Sequence, residues 1–157
     1  MTVSYMIAEP AVSVCFAVEI DGKDLGWFNS CEGLGCEVVL EQREEGGNND
    51  FVWQLPTRVK YSNVKLTRPV GADSRKLTDW LAGFASGVRR QTATISAMTG
   101  DRQVVASWEL NGVVPVRWSG PSLNSDSPKV ATETIELAHH GFLPPRPGGP
   151  PKAGRQN

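Results

Sequence analysis

The sequence is poor in several features that mark particular classes of protein. Of its 157 residues, 16 are Lys or Arg and 17 are Asp or Glu, which gives a formal net charge of -1. That balance leaves no global basic field to drive sequence-independent binding of nucleic acid. No apolar run approaches the roughly 20 residues of a membrane-spanning helix. The N-terminus also lacks the basic region of a leader, so we expect neither a membrane segment nor a signal peptide.

Cysteine and histidine are equally scarce. The three cysteines, Cys15, Cys31 and Cys36, form no CxxC motif, and His139 and His140 lie far along the chain from them. We therefore expect small, buried, apolar thiols in a reducing compartment. The two histidines are adjacent in a predicted strand, so their rings would point to opposite faces and could not chelate one ion.

Catalytic motifs are missing as well. Glu41, Glu44, Glu45 and Asp50 cluster in sequence, but the order E-E-G-G-N-N-D is not that of an EF-hand loop. No GxSxG elbow or nucleophilic-cysteine signature occurs. The Gly-Leu-Gly stretch is not followed by a helix, as a phosphate-binding loop would be. We therefore expect a protein that is not an enzyme and that needs no cofactor or metal.

The sequence does contain a series of segments with period-two alternation. Residues 12–20 place Val12, Val14, Phe16, Val18 and Ile20 on one face, and residues 36–44 continue in the same manner. The next β-prone stretches end at prolines, where a ladder donor is missing. Asp-Gly follows the first strand, and the pairs Gly100-Asp101 and Asn111-Gly112 later predict further hairpin turns. A last strand is predicted within residues 129–142.

One segment has helical periodicity instead. Asp73 or Ser74 is a suitable N-cap, and apolar residues follow at helical spacing up to Val88. The pattern predicts one amphipathic helix over about residues 74–88. The predicted core face of this helix comprises Leu77, Trp80, Leu81 and Phe84.

The element order predicts a mainly β fold, a small antiparallel β-barrel or sandwich of seven or eight strands with one inserted α-helix covering an end or face. Residues 1–11 would form an N-terminal arm, residues 12–143 the domain, and residues 144–157 a disordered Pro/Gly-rich tail. Some strands carry apolar groups on both sides, which indicates a second buried surface, most simply a neighbouring subunit.

Several motifs occur together within about residues 12–143. They are Glu19–Gly22, Phe28–Leu34, Gln42–Asn49 with one extra residue at Glu45, Gln54–Arg68, Trp80, Glu133 or Glu136, His139 and Gly141. In combination these motifs resemble the tail tube protein family of contractile phages and phage-like contractile injection systems.

The resemblance implies a β-barrel subunit that assembles into six-membered rings, which stack into an inner tube with a central channel. The implied partners are further copies of the chain, a contractile sheath protein, baseplate or initiator tube proteins, and possibly cargo in the lumen. The protein would be cytoplasmic within an assembled particle, or part of a virion tail. The alternative from another class is a monomeric β-barrel that binds a small molecule.

A polar loop between two predicted strands is the expected ring-to-ring or subunit contact. Glycines permit backbone conformations closed to other residues, and asparagines tolerate left-handed geometry while offering both donors and acceptors. The loop comprises Glu44, Glu45, Gly46, Gly47, Asn48, Asn49, Asp50 and Phe51.

Overall fold

A computed structural model describes residues 15–44, 46–47 and 52–144, and over them the chain forms ten strands and one helix. The elements are β1 (Cys15–Ile20), β2 (Lys23–Phe28), β3 (Ser30–Glu32), β4 (Cys36–Arg43), β5 (Trp53–Tyr61), β6 (Val64–Pro69), α1 (Ser74–Phe84), β7 (Gln91–Met98), β8 (Val104–Ser119), β9 (Thr132–Ala138) and β10 (Gly141–Phe142). The predicted mainly β fold with one inserted helix is confirmed. The structure has ten strands instead of the predicted seven or eight. Two of them, β3 and β10, comprise only three and two residues.

The main sheet closes on itself. Its strand order is β2-β1-β7-β8-β9-β6-β3, with β10 paired to β8, and each pairing is antiparallel. The two ends of this order, β2 and β3, are consecutive in the chain and separated only by Asn29. The N–H of Asn29 donates to Thr67 O at 3.1 Å. The kinked β2–β3 segment therefore pairs with β1 on one side and β6 on the other, which makes a barrel.

Alternate strand residues fill the barrel interior. The fully buried residues include Val18, Ile20, Val64, Leu66, Ala93, Ile95, Leu110, Val113, Ile135 and Leu137. Helix α1 adds Leu77 and Trp80 to this core, and Leu81 and Phe84 pack against it while half-exposed. Trp80 also donates from Nε1 to Gln91 Oε1 at 2.8 Å, so its polar atom is satisfied at the edge of the core.

A buried ion pair joins β6, β9 and the start of the helix. The Arg68 guanidinium donates from Nε to Glu133 Oε1, from Nη1 to Leu25 O and from Nη2 to Asp73 O. It also lies 4.4 Å from the centre of the Phe28 ring. Because Asp73 is the N-cap residue of α1, this network fixes the helix against the barrel wall.

The helix is shorter than predicted. It ends at Phe84 rather than near residue 88, and Val88 is 77% exposed instead of facing the core. Gly83 and Gly87 have low helix propensity. The last turn also tightens, since the N–H of Ala85 donates to Ala82 O, a three-residue spacing that commonly ends helices.

Pro56 does not end a strand, contrary to the sequence prediction. It lies inside β5, beside an irregularity where Val39 pairs with Arg58 and Leu40 pairs with Pro56. The extra residue, Thr57, donates from its hydroxyl to Val39 O at 2.8 Å. A bulge on an edge strand tolerates proline because no ladder donor is required there.

The Asn111-Gly112 pair is not a hairpin turn either. Strand β8 runs through it for 16 residues, pairing with β7 as far as Val113 and with β9 from Val114. Gly112 has a φ of +62°, and Asn111 pairs with Gly141 of β10. Gly112 therefore allows a bend within one continuous strand. The other predicted turns, at Gly100-Asp101 and Asp21-Gly22, do connect strands.

The cysteines are less buried than predicted. Cys15 and Cys31 are half-buried, and Cys36 is exposed. Cys36 is exposed because it begins β4, which lies outside the barrel. Burial, and to a lesser extent the charge of Glu32, raises the pKa of the Cys31 thiol to about 11.

Candidate subunit interface

Strands β4 and β5 form a separate two-stranded antiparallel sheet, here called the ribbon (Cys36–Arg43 and Trp53–Tyr61). Within the described residues, neither strand packs extensively on any element other than its ribbon partner. Nearly all ribbon residues are exposed, on both faces. An isolated two-stranded hairpin is marginally stable in water. The ribbon therefore needs a partner surface.

One face of the ribbon is apolar. The register places Val38 opposite Val59 and Leu40 opposite Pro56, and side chains two residues apart in a strand share a face. Val38, Leu40 and Val59 are 49%, 47% and 46% exposed. Contiguous exposed apolar side chains are typical of a protein interaction surface.

The other face of the ribbon carries charged side chains interspersed with Val39, Leu55 and Trp53. Glu37 lies opposite Lys60, and Arg58 lies opposite Val39. Further along, Arg43 Nε lies 3.6 Å from Glu41 Oε1, with both side chains more than half exposed. Exposed pairs of this kind contribute little to stability. At a protein interface, such charges contribute to orientation and selectivity more than to affinity.

The predicted contact loop connects the far ends of the two ribbon strands. Glu44, Gly46 and Gly47 are exposed, and Gly47 has a φ of +100°, which L side chains rarely adopt. A Cβ added at either glycine would meet no atom within 4 Å. Glu45 and residues 48–51 of the loop lie outside the described residues. The described loop residues, Glu44, Gly46 and Gly47, thus follow the end of β4. The predicted helix face, Leu77, Trp80, Leu81 and Phe84, lies against the barrel core.

Sequence reasoning singled out the loop but missed the ribbon beneath it. Val52 and Trp53, 43% and 45% exposed, add apolar surface at the start of β5, and Trp53, opposite Arg43, lies on the face that carries the charges. The period-two alternation of side chains in both ribbon strands was the sequence signal that could have revealed the ribbon. Period two identifies two faces of a strand, but it does not say which face meets the core and which meets a partner.

Other kinds of site find little support in the part of the chain described. There, no group of three or more His, Cys, Asp or Glu residues is placed to hold a metal ion. No helix among the described residues is long and apolar enough to cross a membrane. Open clefts of about 270 to 370 Å³ flank α1 and the β2–β6 region.

Comparison with solved structures identifies the same fold in contractile machines. A chain of the sheath-tube complex of the extracellular contractile injection system PVC, in its extended state, matches with a TM-score of 0.74 at 20% identity, over 90% of this chain and 97% of that one. A chain of the anti-feeding prophage (AFP) baseplate, solved with six-fold symmetry, matches with a TM-score of 0.71 at 23% identity, over 87% and 96%. A chain of the AFP tube terminating cap also has a TM-score of 0.71, at 20% identity, over 91% and 93%.

Comparison by sequence gives the family. Among curated proteins, none matches the chain. The family model described as T4-like virus tail tube protein gp19 matches residues 12–143, which include the whole barrel, the helix and the ribbon. The resemblance found in the sequence motifs is therefore confirmed, and the chain belongs to the T4-like virus tail tube protein family.

Proposed function

We propose that this protein is the inner tube subunit of a contractile injection system or phage tail. Its barrels would form rings of six, and the rings would stack into a tube with a central channel. The observation that carries the proposal is the ribbon, an exposed two-stranded element with one apolar face and one face of mixed charged and apolar side chains. Such an element has no evident use in a monomer, but it is suited to binding a second copy.

The ribbon can join copies of the chain into a closed ring. When it binds the barrel wall of the next copy without a reciprocal exchange, the contact is heterologous and head-to-tail. Repeating that contact closes a ring when the rotation per subunit divides a full turn. The fold match to a six-fold symmetric baseplate supports six copies per ring.

The predicted contact loop fits the second kind of contact, between rings. Its described residues, Glu44, Gly46 and Gly47, follow the end of β4, at the opposite end of the ribbon from the Cys36–Tyr61 pair. A Cβ at Gly46 or Gly47 would meet no atom within 4 Å. We infer that residues 44–51 bridge to the adjacent ring, with the asparagines supplying hydrogen bonds.

The partners follow from the same assembly. A tube that is pushed through a target envelope requires a surrounding sheath and a baseplate from which to grow, and the fold matches come from a sheath-tube complex, a baseplate and a tube cap. Cargo would lie in the channel. The particle would assemble in the cytoplasm or form part of a virion tail, and the role of the chain would be structural rather than catalytic.

The filled barrel interior favours the tube over a monomeric carrier of small molecules. A carrier barrel keeps a cavity for its ligand. Here the interior positions are occupied by fully buried Val, Ile, Leu and Ala side chains.

The purified full chain tests the proposal directly. Negative-stain electron microscopy and size-exclusion chromatography with light scattering should show six-membered rings or tubes whose amount rises with protein concentration. A strict monomer across a wide concentration range, with no rings in the micrographs, would contradict the tube assignment.

A further inference from the structure

The ribbon meets the barrel at its root, and a buried histidine lies there. Tyr61 ends β5, and Ser62 begins the short connection to β6. His139 is 7% exposed, and its Nε2 lies 3.1 Å from Ser62 O. The N–H of Gly141 donates to His139 Nδ1 at 3.2 Å. Both ring nitrogens are therefore engaged, one by the ribbon connection and one by the barrel.

These two partners fix the tautomer of the imidazole. A carbonyl oxygen can only accept, so Nε2 must carry the proton that Ser62 O receives. A backbone N–H can only donate, so Nδ1 must be unprotonated to accept from Gly141. His139 is thus a neutral bridge with one donor and one acceptor, each matched to a specific backbone group.

Aromatic rings complete the junction. The ring centroids of Tyr61 and Phe142 lie 5.5 and 5.4 Å from the ring centroid of His139, and 5.8 Å from each other. A Cβ at residue 141 would lie 2.8 Å from Tyr61 Cζ, so only glycine allows the tyrosine ring to approach this closely. We call Tyr61, Ser62, His139, Gly141 and Phe142 the root clamp.

The barrel side of the root clamp is itself held rigidly. Gly141 and Phe142 form β10, which pairs with Asn111 and Leu110 of β8. The N–H of His140 also donates to Asn111 O at 2.7 Å. The clamp therefore connects the ribbon to the long central strand of the barrel.

We propose that His139 is a positioning residue that sets the direction of the ribbon relative to the barrel. The nine residues of β5 span roughly 30 Å, so a tilt of about 10° at the root would displace the ribbon tip by roughly 5 Å. That displacement exceeds the tolerance of a hydrogen bond. The consequence for assembly rests on the proposed ribbon contact between subunits, whereas the effect on ribbon direction does not.

Two substitutions separate the roles of the ring nitrogens. The amide nitrogen of Gln in His139→Gln reaches as far as Nε2 and can donate to Ser62 O. The amide oxygen of Asn in His139→Asn takes the place of Nδ1 and can accept from Gly141, but that side chain is too short to reach Ser62. His140→Asn is the matched control, because His140 is adjacent but exposed.

Ribbon direction is measured by pulsed electron paramagnetic resonance. Spin labels on encoded keto amino acids at Gln42 of the ribbon and Arg75 of the helix, diluted with unlabelled chain, report one distance distribution per variant. We expect a narrow distribution for the wild type, His140→Asn and His139→Gln, and a distribution at least twice as wide or a displaced maximum for His139→Asn. Equal distributions for His139→Asn and His139→Gln would overturn the proposal.

Circular dichroism establishes first that each variant is folded. Should His139→Asn fail to fold, His139→Met takes its place, since it keeps much of the side-chain volume and removes both hydrogen bonds. A wild-type distribution for that variant would also overturn the proposal. Tube formation by electron microscopy is recorded in parallel. Absence of tubes from the wild type would contradict the proposed function, while a broadened distance in His139→Asn would still support the role of His139.

Discussion

Arg68 Nε donates to Glu133 Oε1 at 2.7 Å, and the two side chains are only 4% and 1% exposed. The remaining guanidinium donors reach backbone carbonyls of Leu25 and Asp73, and Trp118 Nε1 lies 3.4 Å from Glu133 Oε2. A buried charge whose hydrogen bonds are matched in this way becomes costly when one partner is removed.

Replacing Arg68 with Met should lower the free energy of unfolding by about 3–5 kcal/mol, because Glu133 is left buried without its countercharge. Urea denaturation followed by tryptophan fluorescence measures this difference. Arg75→Met is the control, since the Arg75–Asp79 pair is exposed and its loss should leave stability unchanged within error. The double variant Arg68→Met/Glu133→Leu should recover part of the loss. A single variant as stable as the control would show that the pair is dispensable.

Placing a charge on the apolar face of the ribbon should block assembly. Val38→Asp introduces a carboxylate where the proposed interface would bury the side chain, and burying an unpaired charge is strongly unfavourable. We expect a folded monomer with an unchanged melting temperature, seen by light scattering and circular dichroism. The control Val88→Asp changes a 77% exposed valine outside the ribbon and should still give tubes. Tubes of normal abundance from Val38→Asp would count against the ribbon as the subunit contact.

The loop glycines should matter for polymerisation and not for folding. Val at position 47 would have to adopt a φ near +100°, which a β-branched residue resists. The double substitution Gly46→Val/Gly47→Val should therefore leave the barrel stable while abolishing tubes in electron micrographs. Gly46→Ala is the matched control, because the φ of Gly46 is not in the left-handed region. If the double variant forms ordinary tubes, the loop is not the ring-to-ring contact.

The reactivity of the Cys31 thiol should depend on pH differently from that of the Cys36 thiol. The thiolate is the nucleophile, and the raised pKa of Cys31, about 11, keeps that thiol protonated at neutral pH. At pH 8, iodoacetamide should therefore modify exposed Cys36 well before Cys31, as read by peptide mass spectrometry. Modification of Cys31 should accelerate as the pH rises towards 11. Rapid labelling of Cys31 at pH 8 would contradict its burial.

Local sequence patterns predicted most strands and the start of the helix. They failed at two positions where pairing with residues distant in sequence determines whether a strand continues or ends. Asn111-Gly112 has the composition of a hairpin turn, yet its neighbours pair with β7, β9 and β10, and the ladders on both sides keep the strand continuous. Pro56 is tolerated because it falls on an edge strand at a bulge. Neither condition can be read from the residues nearby.

The candidate site was only partly predictable for a related reason. The loop was recognisable from its glycines and asparagines, but the ribbon was not, because Val38 and Leu40 look like ordinary core positions. His139 was considered as a strand residue beside His140 and as one of the residues that carry the family resemblance, without a structural role. Its role depends on contacts with Ser62 and Gly141, and Ser62 is distant in sequence. The function of the loop in ring stacking stays a prediction.

The continuous strand β8 has a mechanical consequence. The same 16 residues form ladders with β7, β9 and β10, so both halves of the barrel share one covalent backbone. Separating the halves would require shearing several rows of hydrogen bonds together, instead of opening them one at a time from a loose end. We expect a subunit built in this way to transmit a sudden axial load to its neighbours with little internal deformation.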